Sequence, residues 1–274
     1  MWIKPHLQEE TTSGQGMSAW TSTRSVAGSN EDWQQRLATS LQQHAWSAAL
    51  TNIVVKLAAG EQLTLQDGLT LYHHPNLNEV GLLANEVRTA RFDNKAFFNS
   101  NVHVNQTNVC VLACKFCAFR RSKKAKDAYS MDIDAYIEDL AKYAEHVDEV
   151  HSVGGLHPDW GVEHYESLFQ ATKKAFPHIT IKALTAVEIK HLSQVSNTTY
   201  EDTLRRLKEA GLGSLPGGGA EILDDEVRAI ICNGKESSDE YLEIHRTAHN
   251  VGLSTNCTML FGTIETLEQR LNHM

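Results

Sequence analysis

The chain has 274 residues and no apolar run approaching the roughly 18 to 20 residues that a membrane-spanning helix needs. It also lacks a basic-then-apolar stretch at its start, so export by the usual secretory route is not expected. An excess of positive charge is missing too. The 25 Lys and Arg stand against 34 Asp and Glu, a formal net charge of −9. That balance disfavours a nucleic-acid backbone as the main partner. A disulfide framework is not expected either. The five cysteines are an odd number, three of them lie between positions 110 and 117, and a chain this long buries a core without cross-links. A reducing, cytoplasmic setting with a metal or redox site is the expectation. The remaining composition, 41% hydrophobic and 22% charged, is that of a globular protein rather than a disordered chain, a collagen or a coiled coil.

Residues 1–45 stand apart. Ser, Thr, Gln, Asn and Gly make up 21 of them, which predicts a flexible polar tail. Residues 46–98 read as an N-terminal helical segment. Ile53, Val54 and Leu57 fit one apolar face that stops at Gly60, and a second short helix is predicted over 78–87. From Asn99 strands and helices alternate. Strands are predicted over 102–109, 147–153, 179–186, 212–215 and 253–261, with helical stripes between them such as Ile133, Ile137, Leu140 and Ala144. Such alternation implies a parallel sheet with right-handed crossovers, and ligands in such folds sit at the C-terminal ends of the strands. Those ends carry the cysteine cluster, Gly154-Gly155, Thr185 with Glu188, the glycines 217–219 and Gly262.

The cluster reads Cys110-Val-Leu-Ala-Cys114-Lys-Phe-Cys117. Three thiolates are one short of the four that close a structural zinc or ordinary iron–sulfur site. The readings are a [4Fe-4S] cluster with one open iron, a zinc site completed by His103 or His157, or unliganded core cysteines. The CxxxCxxC spacing with Phe116 before the last cysteine resembles the radical S-adenosylmethionine superfamily. Gly154-Gly155 is similar to that superfamily's Gly-Gly segment, whose backbone meets the methionine amino group.

Longer stretches narrow the resemblance: 105–110, 116–121, 153–159, 182–189, 214–221 and 258–266. Together they resemble the aminofutalosine synthases of the futalosine route to menaquinone, over about residues 48–274. Val153 and Lys182 stand where the related cyclic dehypoxanthinyl futalosine and deazaflavin (FO) synthases carry glutamine and histidine. The resemblance implies a partial (β/α)6 TIM-like radical barrel of parallel strands over 99–274, preceded by the helical segment. It implies a [4Fe-4S] cluster on Cys110, Cys114 and Cys117, with S-adenosylmethionine consumed as a co-substrate. The implied reaction adds a 5′-deoxyadenosyl radical to the enol ether of 3-[(1-carboxyvinyl)oxy]benzoate; rearrangement and loss of the carboxylate as bicarbonate or CO2 then give 6-amino-6-deoxyfutalosine, with methionine as the by-product. A reduced flavodoxin- or ferredoxin-type protein would supply the electron.

Individual residues follow. Phe116, Gly154, Gly155, Thr185, Glu188 and Glu221 are candidates for cofactor contact, Glu221 through the ribose hydroxyls. Lys182, His157, Arg120 and Asn105 are candidates for the substrate, which carries two carboxylates. Lys182 lies in an otherwise apolar strand, a costly place unless it meets a ligand or an ion-pair partner. The basic run Arg120, Arg121, Lys123, Lys124 and Lys126 reads as a solvated loop or as a docking face for an acidic electron donor. Two departures stand out. Thr263 replaces the family's usual histidine after the fifth-strand glycine. Only five strands precede Met274, so the chain reads as truncated, its last helix (265–274) pointing toward a sixth strand.

Overall fold

The structure, a computed structural model, describes residues 29–274, so residues 1–28 of the expected tail lie outside the described residues. The rest of that segment is not a tail. Helix α1 (Trp33–Leu41) buries Trp33, Leu37 and Leu41, spaced four residues apart along one stripe. That spacing is one helical face, and the polar residues around it hid it in the composition. The stripe packs on α2 (Ala48–Ala59) and α4 (Leu77–Phe92) through Leu50, Ile53, Leu83 and Ala90. Between them lies α3 (Leu65–Tyr72), opened by a Thr64–Asp67 capping box. The Arg91 guanidinium lies 3.9 Å over the Trp33 ring. Gly60 closes α2 at φ +74°, a left-handed position that glycine adopts without a side-chain clash.

The described residues divide into two compact units. One holds this helical segment through Phe98 together with Thr266–Asn272; the other is Asn99–Glu265. The last helix, α11 (Leu267–His273), therefore groups mostly with the helical unit rather than with the strands.

The second unit is built on a five-stranded, all-parallel sheet in the order β1-β2-β3-β4-β5: Asn101–His103, Glu149–Ser152, Thr180–Ala183, Leu212–Leu215 and Ser254–Thr255. Between the strands run α5 (Ile133–Ala141), α6 (Val162–Ala175), α7 (Ala186–Ser196), α8 (Tyr200–Ala210), α9 (Asp225–Ile231) and α10 (Ser238–Asn250). Sequential parallel order is the topology of a (β/α) barrel wall. One sheet face is sealed by α5, α6, α7, α8 and α10. Val150, Ile181, Ala183 and Leu215 pack there with Leu140, Phe169, Ile189, Leu204 and Ile244. No helix among the described residues is long and apolar enough to cross a membrane.

Four of the five strands are shorter than the sequence predicts, and β1 and β5, shortened most, are so for one reason. Beyond Val104, whose N–H still bonds the His151 carbonyl of β2 at 3.2 Å, the backbone partners change from the sheet to loops. Asn108 accepts the Tyr129 N–H at 2.8 Å and donates to the Asp127 carbonyl at 3.0 Å, and Thr107 donates to the Tyr129 carbonyl at 2.7 Å. After Thr255 the chain likewise turns to the β4 loop: Thr258 Oγ1 donates to the Gly217 carbonyl at 2.7 Å and the Leu260 N–H to the Glu221 carbonyl at 2.9 Å. In both places hydroxyl and amide side chains compete with the ladder for backbone groups.

Candidate active site

The cysteine loop leaves the C-terminal end of β1 and is pinned on three sides. The Cys110 N–H bonds the Arg121 carbonyl at 3.0 Å, the Val111 N–H the Leu156 carbonyl at 3.1 Å, and the Lys115 N–H the Ile231 carbonyl at 2.9 Å. The loop's return is stapled by Arg121, which donates to the carbonyls of Ala118 at 2.8 Å and Arg120 at 2.9 Å and to Asp127 at 2.5 Å. Lys123 makes an ion pair with Asp159 on the β2 loop. Two members of the expected basic run are thus occupied locally, while Lys124 and Lys126 are exposed.

Cys110, Cys114 and Cys117 are half-buried and free of disulfides. Cys114 packs beside an apolar wall of Ile222, Val227, Ile231 and Cys232, with Met259. Burial pushes its thiol up. Lys235 opposes that shift, and Glu221 and the thiolates of Cys110 and Cys117 add to it. The three sulfurs are therefore electrostatic neighbours, although among the described residues no three His, Cys, Asp or Glu side chains converge as a ready ligand group. The donor set fits an iron–sulfur centre in kind: three soft thiols on one accessible loop, whose mutual repulsion a cationic centre offsets.

The glycine pair has a packing role. A Cβ on Gly155 would stand 2.9 Å from the Cys110 Cβ and closer still to the Val109 carbonyl, and one on Gly154 would stand 2.8 Å from Gln106 Nε2. The Gly155 N–H bonds the Thr107 carbonyl at 2.9 Å. The β2 loop thus lies flush against the cysteine loop because it has no side chains there.

Thr185 and Glu188, expected at a ligand, bond to each other and to the glycine pair. Glu188 is buried and accepts from the Thr185 N–H at 2.7 Å, the Thr185 hydroxyl at 2.8 Å and the Gly154 N–H at 3.0 Å. This capping box starts α7 and ties it to the glycine pair. Just before it, Leu184 stands at φ +62°, a costly conformation for a branched side chain. His157 is also drawn inward. Its ring stacks on Trp160 at 4.3 Å and its Nδ1 accepts the Asp159 N–H at 3.2 Å, so it braces the β2 turn. The Asn105 side chain accepts the Val153 N–H at 3.4 Å.

The remaining candidates are Glu221, Phe116, Arg120 and Lys182. Glu221, at φ +40°, ends the loop after β4 and pairs with Lys235 at 2.6 Å. Lys235, which the sequence did not single out, also stands 5.6 Å over the half-exposed Phe116 ring. Only its position after the Asn-Gly turn before α10 hinted at a fixed place. Arg228 was missed too. It is buried, and it donates to the carbonyls of Gly219 at 3.0 Å, Ala220 at 2.6 Å and Glu236 at 2.7 Å. It therefore fixes the glycine loop from beneath. Arg120 is partly buried, with its Nε unpartnered. Lys182 is half-buried and has no hydrogen-bond or ion-pair partner among the described residues.

A parallel β/α barrel wall with a three-cysteine loop at its C-terminal edge defines a class of cofactor-dependent enzyme folds. Comparison places the chain more closely. A family profile for the Radical SAM superfamily matches residues 104–274, and the chain belongs to that superfamily. The aminodeoxyfutalosine synthase of Thermus thermophilus is 42% identical over 228 residues, covering 82% of this chain and 61% of that protein. The cyclic dehypoxanthine futalosine synthase of Streptomyces coelicolor is 40% identical over 235 residues, covering 83% and 58%. The chain thus spans about three fifths of these relatives' length. The crystal structure of a methylornithine synthase matches with a TM-score of 0.63 at 20% identity, covering 80% of this chain and 62% of that one, a likeness of fold.

Proposed function

We propose that the chain carries the radical S-adenosylmethionine portion of an aminofutalosine synthase, transferring the adenosyl group to 3-[(1-carboxyvinyl)oxy]benzoate. The observation that carries this reading is the Cys110–Cys117 loop lying against Gly155, in a chain 42% identical to such a synthase over 228 residues. When bound, the [4Fe-4S] cluster and S-adenosylmethionine supply the carbon radical that this chemistry needs.

The chain's own residues hold and shield the reacting parts. Cys110, Cys114 and Cys117 are the cluster ligands. The backbone of Gly154 and Gly155 gives the methionine group a close approach, and Phe116 flanks it. Glu221, steadied by Lys235, meets the ribose hydroxyls. Ile222, Val227 and Ile231 keep water from the cysteine side. Lys182 and Arg120 each offer a cation without a fixed partner to a substrate with two carboxylates. Lys124 and Lys126 face solvent beside the loop and form the docking point for an acidic flavodoxin-type donor.

The test is anaerobic reconstitution followed by incubation with S-adenosylmethionine, dithionite and the enol-ether substrate. About four irons per chain and a product with the mass of the adenosyl adduct less its lost carboxylate are expected. Cys110→Ala, Cys114→Ala and Cys117→Ala should each lose iron, while Cys232→Ala and Cys257→Ala keep it. Free 5′-deoxyadenosine with no adduct would overturn the substrate assignment. A colourless protein with one zinc would overturn the enzyme class.

A further inference from the structure

Parallel pairing sets His103, His151, Lys182 and Ser214 in one row across four neighbouring strands. His103 pairs with His151, His151 with Lys182, and Lys182 with Ser214. Residues in register on adjacent strands project from the same face, about 4.8 Å apart. The imidazole centroids of His103 and His151 are 4.4 Å apart, tilted by 51°. The alternate positions Val102, Val104, Val150, Ile181 and Ala183 belong to the core packed by the helices. The row therefore occupies the opposite, inner face of the barrel wall.

Three basic side chains side by side need an anion or a strong reason to remain neutral. Among the described residues none of the three has a hydrogen-bond or ion-pair partner, and no carboxylate reaches them. Burial, with His103 and Lys182 as like charges, lowers His151 to about 4, so its ring is a neutral N–H donor near pH 7. The row thus presents one ammonium and two imidazoles toward the same space. A carboxylate, which only accepts hydrogen bonds, complements that set. The flat imidazole faces suit an aryl group attached to it.

We propose that His103, His151 and Lys182 form one binding rung for the carboxylate of an aromatic acid, with Lys182 as the charge and the two histidines as flanking donors. This rests on the substrate class proposed above and adds the two histidines to it.

The test uses the anaerobically reconstituted full chain and a stable probe, 3-(carboxymethoxy)benzoate, titrated calorimetrically beside the neutral 3-methoxybenzamide. His103→Phe, His151→Phe and Lys182→Met are compared with the unaltered chain, with iron content and melting temperature as controls for folding. Each substitution should weaken the dicarboxylate about tenfold or more and leave the amide's weak binding unmoved. Unchanged dicarboxylate affinity in His103→Phe overturns the rung. Because His103 is exposed on the strand, that variant decides the matter even if His151→Phe misfolds. No probe binding by the unaltered chain overturns it as well. Failure of the unaltered chain to cleave S-adenosylmethionine sinks the wider functional reading instead, and is scored separately from the titration.

Discussion

The Nζ of Lys235 lies 2.6 Å from the Oε1 of Glu221, and the two side chains keep only 11% and 8% of their exposure. A pair this well shielded is far more sensitive to losing one member than a surface pair. Lys235→Met and Glu221→Gln are each expected to destabilise the fold by about 3 kcal/mol. Lys235→Met/Glu221→Gln should cost less than the sum of the singles, because no charge is left stranded. Urea unfolding of the singles and a matched double-mutant cycle measures this. Additive losses below about 1 kcal/mol each would show that the pair is solvated.

Gly155→Ala is expected to cost about 1 to 3 kcal/mol and to lower iron uptake, because the new methyl meets the Val109 carbonyl and the Cys110 Cβ. Gly81→Ala is the control. It lies inside α4 with nothing within 4 Å of the new Cβ, so better helix propensity should stabilise by about 0.5 to 1 kcal/mol. Thermal unfolding of the two variants should move in opposite directions, and iron content should fall in Gly155→Ala and stay unchanged in Gly81→Ala. Normal iron content in Gly155→Ala would place the glycine's role away from the cysteine loop.

The strand–helix alternation was legible because periodicity and glycine runs are local signals. The strand lengths were not. Whether residues 104–109 stay in the sheet depends on what Thr107 and Asn108 bond to, and their partners, Tyr129 and Asp127, are some twenty residues away. Helix α1 was hidden because three buried side chains, Trp33, Leu37 and Leu41, sit in a segment whose average is polar. Among candidate site residues, motif spacing singled out the cysteines, and the loop after β4 singled out Glu221. It could not show that Glu188 spends both oxygens on Thr185 and Gly154, since an S/T-x-x-E capping box and a ligand site look alike in one dimension. Lys235 and Arg228 were invisible because each acts on a loop that the fold alone brings to it.

Arg228 and Glu236 make the second buried charge pair, at 3.2 Å, with side-chain exposures of 4% and 0%. Burial pushes the Glu236 carboxyl up to about 7, against the pull of Arg228. Arg228→Met removes the donors to Gly219 and Ala220 and leaves that carboxylate without its cation. A loss of about 3 to 5 kcal/mol is expected, with faster amide exchange across residues 217–221. Arg228→Lys should recover only part of it, since an ammonium cannot span the same carbonyls. Unaltered exchange in that loop in Arg228→Met would show that the glycine run is held by other contacts.

His245 sits in α10 with its Nε2 buried and unpartnered and its ring 4.3 Å from Tyr241. Burial, with a smaller contribution from His249, lowers it to about 4, against an ordinary value of 6.5. The unfolded chain therefore binds more protons than the folded one between those two values. The neutral ring's share of stability is fully present above pH 6.5 and is lost as the pH falls toward 4. At pH 5 the loss amounts to about 2 kcal/mol from this one group. His245→Phe keeps a ring of similar shape and removes the titration. Relative to the unaltered chain, the variant should show about 2 kcal/mol less destabilisation on moving from pH 7.5 to pH 5, read as the change in urea unfolding free energy. The same pH dependence in both proteins would mean that the imidazole accepts its proton inside the fold and that acid lability arises elsewhere.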